Sequence, residues 1–228
     1  MKRSRLVANI LLVVGLVLLS GILGLAQTTG MHVQVIHAQK AVSPRLAAVG
    51  SRPLATSATT PISGMASGFS FDGMGNTNGW SVPDANGAVG ATQYVQWVNT
   101  QFAVYDKTSG ALLYGPAAGN TLWASLGGLC ASANNGDPIA QYDKLAGRWV
   151  MTQRAMGATG PYYQCVAVST TSDATGTYNL YAFQLPNAFP DYPKLGIWPD
   201  AYFLSVNELV KSTWNCHISR TPGPRPMK

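Results

Sequence analysis

Three segments of the chain line up at a spacing near 54 residues. Asp84 precedes Tyr94-Val95-Gln96-Trp97-Val98-Asn99, Asp137 precedes Trp149-Val150-Met151-Thr152-Gln153, and Asp191 precedes Tyr202-Phe203-Leu204-Ser205-Val206-Asn207. The aspartates lie 53 and 54 residues apart, and the aromatic starts of the strands 55 and 53 apart. A unit of that size holds about four short strands, the content of a propeller blade, and buries its apolar faces only by stacking on its neighbours. Short apolar-polar alternations punctuated by Gly, Asn and Asp place strands at Tyr94–Asn99, Phe102–Asp106, Ala111–Tyr114, Ile139–Tyr142, Arg148–Gln153, Tyr163–Ser169, Tyr178–Gln184 and Tyr202–Asn207. No stretch after Ala26 carries a helical period. The expected fold is all-β, an incomplete β-propeller-like array of four-stranded antiparallel blades, about two and a half of them. One whole blade spans Asp137 to Leu185, one precedes it, and a third begins at Pro193 and stops after its second strand. Closed propellers need at least about four blades. A truncated or frame-shifted product of a longer protein is therefore expected, with residues 209–228 an irregular tail. The run Thr221-Pro222-Gly223-Pro224-Arg225-Pro226 is one that no central strand could hold.

Aromatic residues fix where the folded part begins. Of 22 Phe, Trp and Tyr, 21 lie between Phe69 and Phe203 and none precedes Phe69, so burial able to offset chain entropy is available only there. Residues 69–208 are the expected propeller-like domain. Residues 27–68, rich in Ala, Ser, Thr, Val and Pro, read as a flexible spacer. Ahead of them, Lys2, Arg3 and Arg5 precede an apolar run from Leu6 to Leu25. Residues 1–26 are thus either a signal peptide cleaved after Ala26 or an uncleaved membrane anchor, and the remainder is expected to be exported to the periplasm, cell surface or medium.

The formal net charge of +6 suggests an anionic partner until it is mapped. Residues 1–60 contribute +6, residues 61–208 contribute −4, and residues 209–228 contribute +4. The strand-rich part is acidic and no basic stripe runs through its aromatics, so no nucleic-acid partner is expected, and membrane contact is expected only through the N-terminal segment.

The motifs Pro83-Asp84-Ala85-Asn86-Gly87-Ala88-Val89-Gly90, Gly136-Asp137-Pro138 with Tyr142-Asp143, and Phe189-Pro190-Asp191-Tyr192-Pro193-Lys194-Leu195-Gly196 occur in order. In these, residues 69–208 resemble bacterial exported β-propeller-like proteins, mostly hypothetical or cell-surface proteins. The resemblance implies a propeller fold continuing beyond this chain, and export. It implies no activity and no catalytic residue.

Nucleophilic triads need an imidazole, and residues 60–209 contain no histidine; the usual nitrogen ligands of zinc are missing with it. A sialidase-like arginine cluster is not expected, since Arg148 and Arg154 are the only arginines of the domain. Eight aspartates leave paired-carboxylate glycoside hydrolysis chemically open. Each sits beside a turn former, however, and Asx-turns account for that placement. The remaining metal reading is calcium, the one cofactor considered, on the hard oxygens of Asp84, Asn86 and Asp137. Cys130 and Cys165 are expected to form a disulfide in an oxidising compartment, the alternative being free thiols, with Cys216 left over in the tail. Tyr94, Trp97, Trp149, Tyr163, Trp198 and Tyr202 read as packing between blades rather than a sugar-stacking platform. The expected function is an exported binding or interaction module without catalysis of its own, with a glycan or cell-surface protein as partner. The alternatives are a fragment of an extracellular glycan hydrolase whose site needs absent blades, and a product that cannot close and has no function.

Overall fold

In the computed structural model the repeat becomes three antiparallel meanders, in a structure that describes residues 39–47, 70–77, 79, 81–185, 189–210 and 213–222. The chain divides into a unit over Met1–Gly30 and a second over Met31–Lys228, and every described residue belongs to the second. The expected export segment and most of the spacer lie outside the described residues. Among the described residues no helix is long and apolar enough to cross a membrane.

Strand β1 (Gln39–Val42) precedes the first meander, which is β2 (Asn86–Val89), β3 (Gln93–Val98), β4 (Gln101–Asp106) and β5 (Leu112–Ala118), hydrogen-bonded in that order. A short 3₁₀ turn over Gly119–Trp123 and the five-residue helix α1 (Gly128–Ser132) lead on. Each is too short to leave a periodic trace in the sequence. The second meander is β6 (Ile139–Asp143), β7 (Arg148–Met156), β8 (Tyr162–Ser169) and β9 (Tyr178–Leu185). The third is β10 (Phe189–Trp198), β11 (Ala201–Val210) and β12 (Thr213–Pro222). All eight strands anticipated from alternation are present, most of them extended by one to four residues.

Two regions depart from expectation. Residues 39–42, read as part of a flexible spacer, pair antiparallel with β9 from Gln39↔Ala182 to Val42↔Asn179 and add a fifth strand to the second sheet. A local polar match holds them there: Tyr178 N–H donates to Ser43 Oγ (2.9 Å), Ser43 N–H to Tyr178 O (2.9 Å), and Arg45 pairs with Asp173 (2.8 Å). The tail expected to be irregular from residue 209 instead supplies the end of β11 and all of β12. Proline is compatible with that placement because β12 is an edge strand and Pro222 is its last residue.

The sheets stack through alternate residues. Val95, Trp97, Phe102 and Val104 of the first sheet meet Trp149, Met151, Cys165, Ala167, Leu180 and Ala182 of the second in the main core. The opposite face of the second sheet, Val150, Val166, Val168 and Phe183, meets Tyr202, Leu195 and Ile197 of the third. Sequence alternation thus becomes a two-sided middle sheet, which explains why β7 and β8 are almost wholly buried. Four of the six singled-out aromatics pack as expected: Trp97, Trp149 and Tyr202 are buried and Tyr163 is half-buried against the core. Tyr94 packs away from the sheet interface, against Phe71 and Tyr105. Trp198 is 68% exposed and packs between no sheets.

The contact between the second and third sheets includes a polar lock. Tyr202 Oη donates to Asp143 Oδ2 at 2.8 Å, while Asp143 Oδ1 accepts from the N–H groups of Leu145 and Ala146 at 2.9 and 3.0 Å. Burial, and then the acceptor itself, raise the Tyr202 pKa well above that of a free phenol, so the hydroxyl stays a donor. Tyr202→Phe leaves a carboxylate oxygen without its donor in a site where Asp143 is 5% exposed. Denaturant unfolding is expected to show a loss of about 2 kcal/mol.

Candidate functional site

The eight aspartates were anticipated as a single class of turn residues, and the structure divides them. Asp106, Asp143 and Asp173 are Asx-turn residues: Asp106 Oδ1 accepts from Thr108 N–H and Ser109 N–H, Asp143 Oδ1 from Leu145 and Ala146, and Asp173 Oδ1 from Thr175 N–H. Hydroxyl and amide donors hold the Asp106 carboxyl down to about 2. The repeat aspartates Asp84, Asp137 and Asp191 sit instead at the start of the first strand of each sheet and face the end of the second strand.

The cross-strand register explains their partners. Pairing of Asn86 with Trp97 and of Ile139 with Thr152, continued by two residues, sets Asp84 opposite Asn99 and Asp137 opposite Arg154, while Asp191 pairs directly with Asn207. Asn99 Nδ2 donates to Asp84 Oδ2 at 3.2 Å and to Val82 O at 2.6 Å. Arg154 is long enough to serve two sheets. Its Nη1 lies 2.6 Å from Asp137 Oδ2 and 3.3 Å from Asp191 Oδ1, its Nε donates to Asn135 O, and its guanidinium lies 5.2 Å from the Phe189 ring centroid. Its selection for the two-carboxylate position follows from reach and from a fork of donors that a lysine lacks.

Between the sheets, the first strands are tied by two side-chain bonds that each span one repeat. Asn86 Oδ1 accepts from Ala140 N–H at 2.8 Å and Gln141 Nε2 donates to Leu195 O at 3.1 Å, both across 54 residues. These strand starts enclose a cleft of about 280 Å³ lined by Asp84, Asn86, Asp137, Gln141, Tyr192 and Lys194, among others. Tyr192 is 65% exposed at its mouth, with Lys194 Nζ 3.1 Å from the ring centroid. A larger groove of about 460 Å³, lined by Phe71, Tyr94, Gln96 and Lys107, lies on the outer side of the first sheet.

The backbone around the cleft is unusual. Among the described residues, the non-glycine positions with positive φ are Asp84 (41°), Asn99 (46°), Asp137 (48°) and Tyr192 (49°); Asp84, Asp137 and Tyr192 line the cleft and Asn99 is bonded to Asp84 behind it. Asp and Asn tolerate this left-handed region better than most residues; tyrosine does so at a cost. Gly136, at φ 74°, has no such cost, and a Cβ there would collide with the Asn99 amide. Asp84, Asn86 and Asp137, the oxygen donors expected for calcium, all line this cleft. In the structure Asp84 Oδ2 and Asn86 Oδ1 accept protein N–H groups and Asp137 Oδ2 binds a guanidinium. Among the described residues no group of three or more His, Cys, Asp or Glu side chains is arranged to hold a metal ion. Arg154, Tyr192 and Gln141 were missed as site residues. Tyr192 and Gln141 follow a repeat aspartate by one and four residues and Arg154 follows one by 17, but no residue type recurs at those offsets in the other repeats, so the sequence carries no signal for them.

Burial raises the Asp137 carboxyl above its ordinary value; Arg154 opposes that rise, while Asp84 and Asp191 add to it. A raised carboxyl pKa means that ionised Asp137 costs stability above its unfolded value, and the cost disappears as pH falls. Arg154→Met removes the compensating charge. Breaking a fully buried pair costs about 3–5 kcal/mol; with both side chains 16% exposed, water screens part of the loss, and a deficit of about 2 kcal/mol at pH 7 is expected. The variant should recover relative to the parent between pH 6 and pH 4, as thermal melts across that range would register. A family-model scan, a comparison with curated proteins and a comparison with solved structures each return no match to this chain.

Proposed function

We propose that the chain is a propeller-type binding module, of the exported β-propeller-like kind that its three motifs resemble, and that it binds its partner at the cleft where the first strands of the three sheets begin. Blade-like stacking is supported by the sequential meander of each sheet and by the two 54-residue bonds between first strands. The observation that carries the binding role is that three of the four described non-glycine residues with left-handed backbone, Asp84, Asp137 and Tyr192, line this one cleft, and the fourth, Asn99, donates to Asp84. Strain is retained where the surrounding structure over-determines it, which is characteristic of ligand clamps and active sites. Recognition rather than hydrolysis is favoured because Asp137 and Asp191 share one guanidinium. That guanidinium stands between the two carboxylates, in the gap that a scissile glycosidic bond would have to occupy. The disulfide between Cys130 and Cys165 agrees with an oxidising, extracytoplasmic setting.

The test is binding and turnover measured together. The full chain is applied to a printed panel of bacterial and host surface glycans, and the same glycans are assayed for new reducing ends. Saturable binding without cleavage is the expected result. Cleavage would establish the hydrolase alternative, and absence of both would overturn the binding role.

A further inference from the structure

We infer that the cleft takes a single pyranose unit, stacked on Tyr192 and hydrogen-bonded by Asn86, Gln141 and Asp84, an inference that rests on the binding role proposed above. The dimensions point to a small ligand. A volume of about 280 Å³ lies just below the usual range for small-molecule sites, roughly 300–1,000 Å³, which suits one sugar ring and excludes a folded peptide.

The chemistry of the walls narrows the class. Two primary amides line the cleft, and each has one end committed to the neighbouring sheet: Asn86 through Oδ1 to Ala140 N–H, and Gln141 through Nε2 to Leu195 O. The opposite ends, a donor on Asn86 and an acceptor on Gln141, are fixed in orientation by those bonds and need no reorganisation to meet a ligand. Adjacent hydroxyls of a sugar ring act as donor and acceptor together, which is the complement such a pair presents. Asp84 adds an acceptor, since Asn99 engages its Oδ2 and a carboxylate has further lone pairs. Tyr192 supplies the apolar element. Its ring is 65% exposed with Lys194 against it, leaving surface for the C–H face of a pyranose. Its left-handed backbone, φ 49°, aims a large side chain where a relaxed strand would not place one. With Asp84 and Asp137 set against the one cation Lys194, the lining is net negative and disfavours a purely anionic ligand. The aromatics earlier considered for sugar stacking are elsewhere: Trp97, Trp149 and Tyr202 are buried in the sheet interfaces.

Saturation-transfer NMR and calorimetry on the full chain, with methyl gluco-, galacto-, manno- and 2-acetamido-pyranosides as probes, test the inference. At least one probe is expected to bind with a Kd on the order of 1 mM. Tyr192→Asn and Asp84→Asn suit the left-handed backbone at their positions, so both should fold, and unchanged thermal melts would verify that. Each is expected to weaken the bound probe about tenfold or more. No binding by any probe, or binding that both variants leave unchanged, overturns the inference. If the glycan panel is positive while the cleft variants bind it normally, the binding role stands and the site is elsewhere; if the panel is negative, the binding role falls first.

Discussion

Trp149→Ala should lower the unfolding free energy by about 3–5 kcal/mol, and the melting temperature by roughly 10 °C for a domain of this size. Trp149 is fully buried at the centre of the interface between the first and second sheets. Its ring lies 4.9 Å, centroid to centroid, from that of Tyr142. Its indole N–H donates to Ser172 O at 3.0 Å, and its backbone N–H to Ser169 Oγ at 2.7 Å. Truncation therefore removes the largest kind of buried surface, opens a cavity between two sheets that cannot close without shifting both, and leaves the Ser172 carbonyl without its indole donor. Gly90 provides an internal check. A Cβ at Gly90 would stand 2.5 Å from Trp149 Cζ2, so Gly90→Ala is itself destabilising in the parent. In the Trp149→Ala background that methyl group enters vacated space. The double variant should lose less than the sum of the singles by 1 kcal/mol or more, about the coupling of residues in direct contact. Urea unfolding followed by circular dichroism measures all four corners; additive losses would mean that the ring does not occupy the Gly90 gap.

That interface was largely legible in the sequence, because aromatic and β-branched residues at alternate positions have few places to go other than a sheet face. Trp97, Trp149 and Tyr202 were legible for that reason, and so was the 54-residue unit. Strand β1 was not. Gln39–Val42 has no aromatic and only two apolar residues, and what places it is a match of Ser43 and Arg45 to residues more than a hundred positions later. Local pattern carries no information about such a partner. The aspartates show a different limit. Asp106-Lys-Thr-Ser-Gly and Asp84-Ala-Asn-Gly look alike as strings of turn formers, yet in the first the carboxylate closes its own turn, and in the second it faces a neighbouring strand end. Register, which decides between them, is a property of the paired strands rather than of the tetrapeptide. Arg154 is harder still, because its importance lies in reaching the next repeat's aspartate.

Replacing Cys130 and Cys165 together with alanine should cost about 4 kcal/mol, comparable to the loss of the tryptophan but acting through the unfolded chain. The bond joins α1 to β8 across a sequence separation of 35 residues, and the loop it closes contains β6 and β7 entire. Closing a loop of that length removes conformations from the unfolded state to the extent stated, in the chain-entropy account. Alanine is the better replacement than serine because both positions are buried, at 1% and 0% exposure, where an unpaired hydroxyl would add its own penalty. The two halves of the bond are not equivalent in the fold. Cys165 lies in a central strand, in register with Gln153 on one side and Ala182 on the other, and stays in place when the bond is lost. Cys130 sits on a helix of five residues that is too short to persist by itself. Loss of the bond should therefore release α1 while the second sheet persists. Amide exchange should rise over 128–133 at denaturant concentrations where the strands of the second sheet remain protected. Because both sulfurs are buried, a thiol reductant reaches them only through opening, and the reduction rate of the native chain should follow the free energy of releasing α1 rather than the concentration of global unfolded species. Reduction that waits for full unfolding would show that helix and sheet form one cooperative unit.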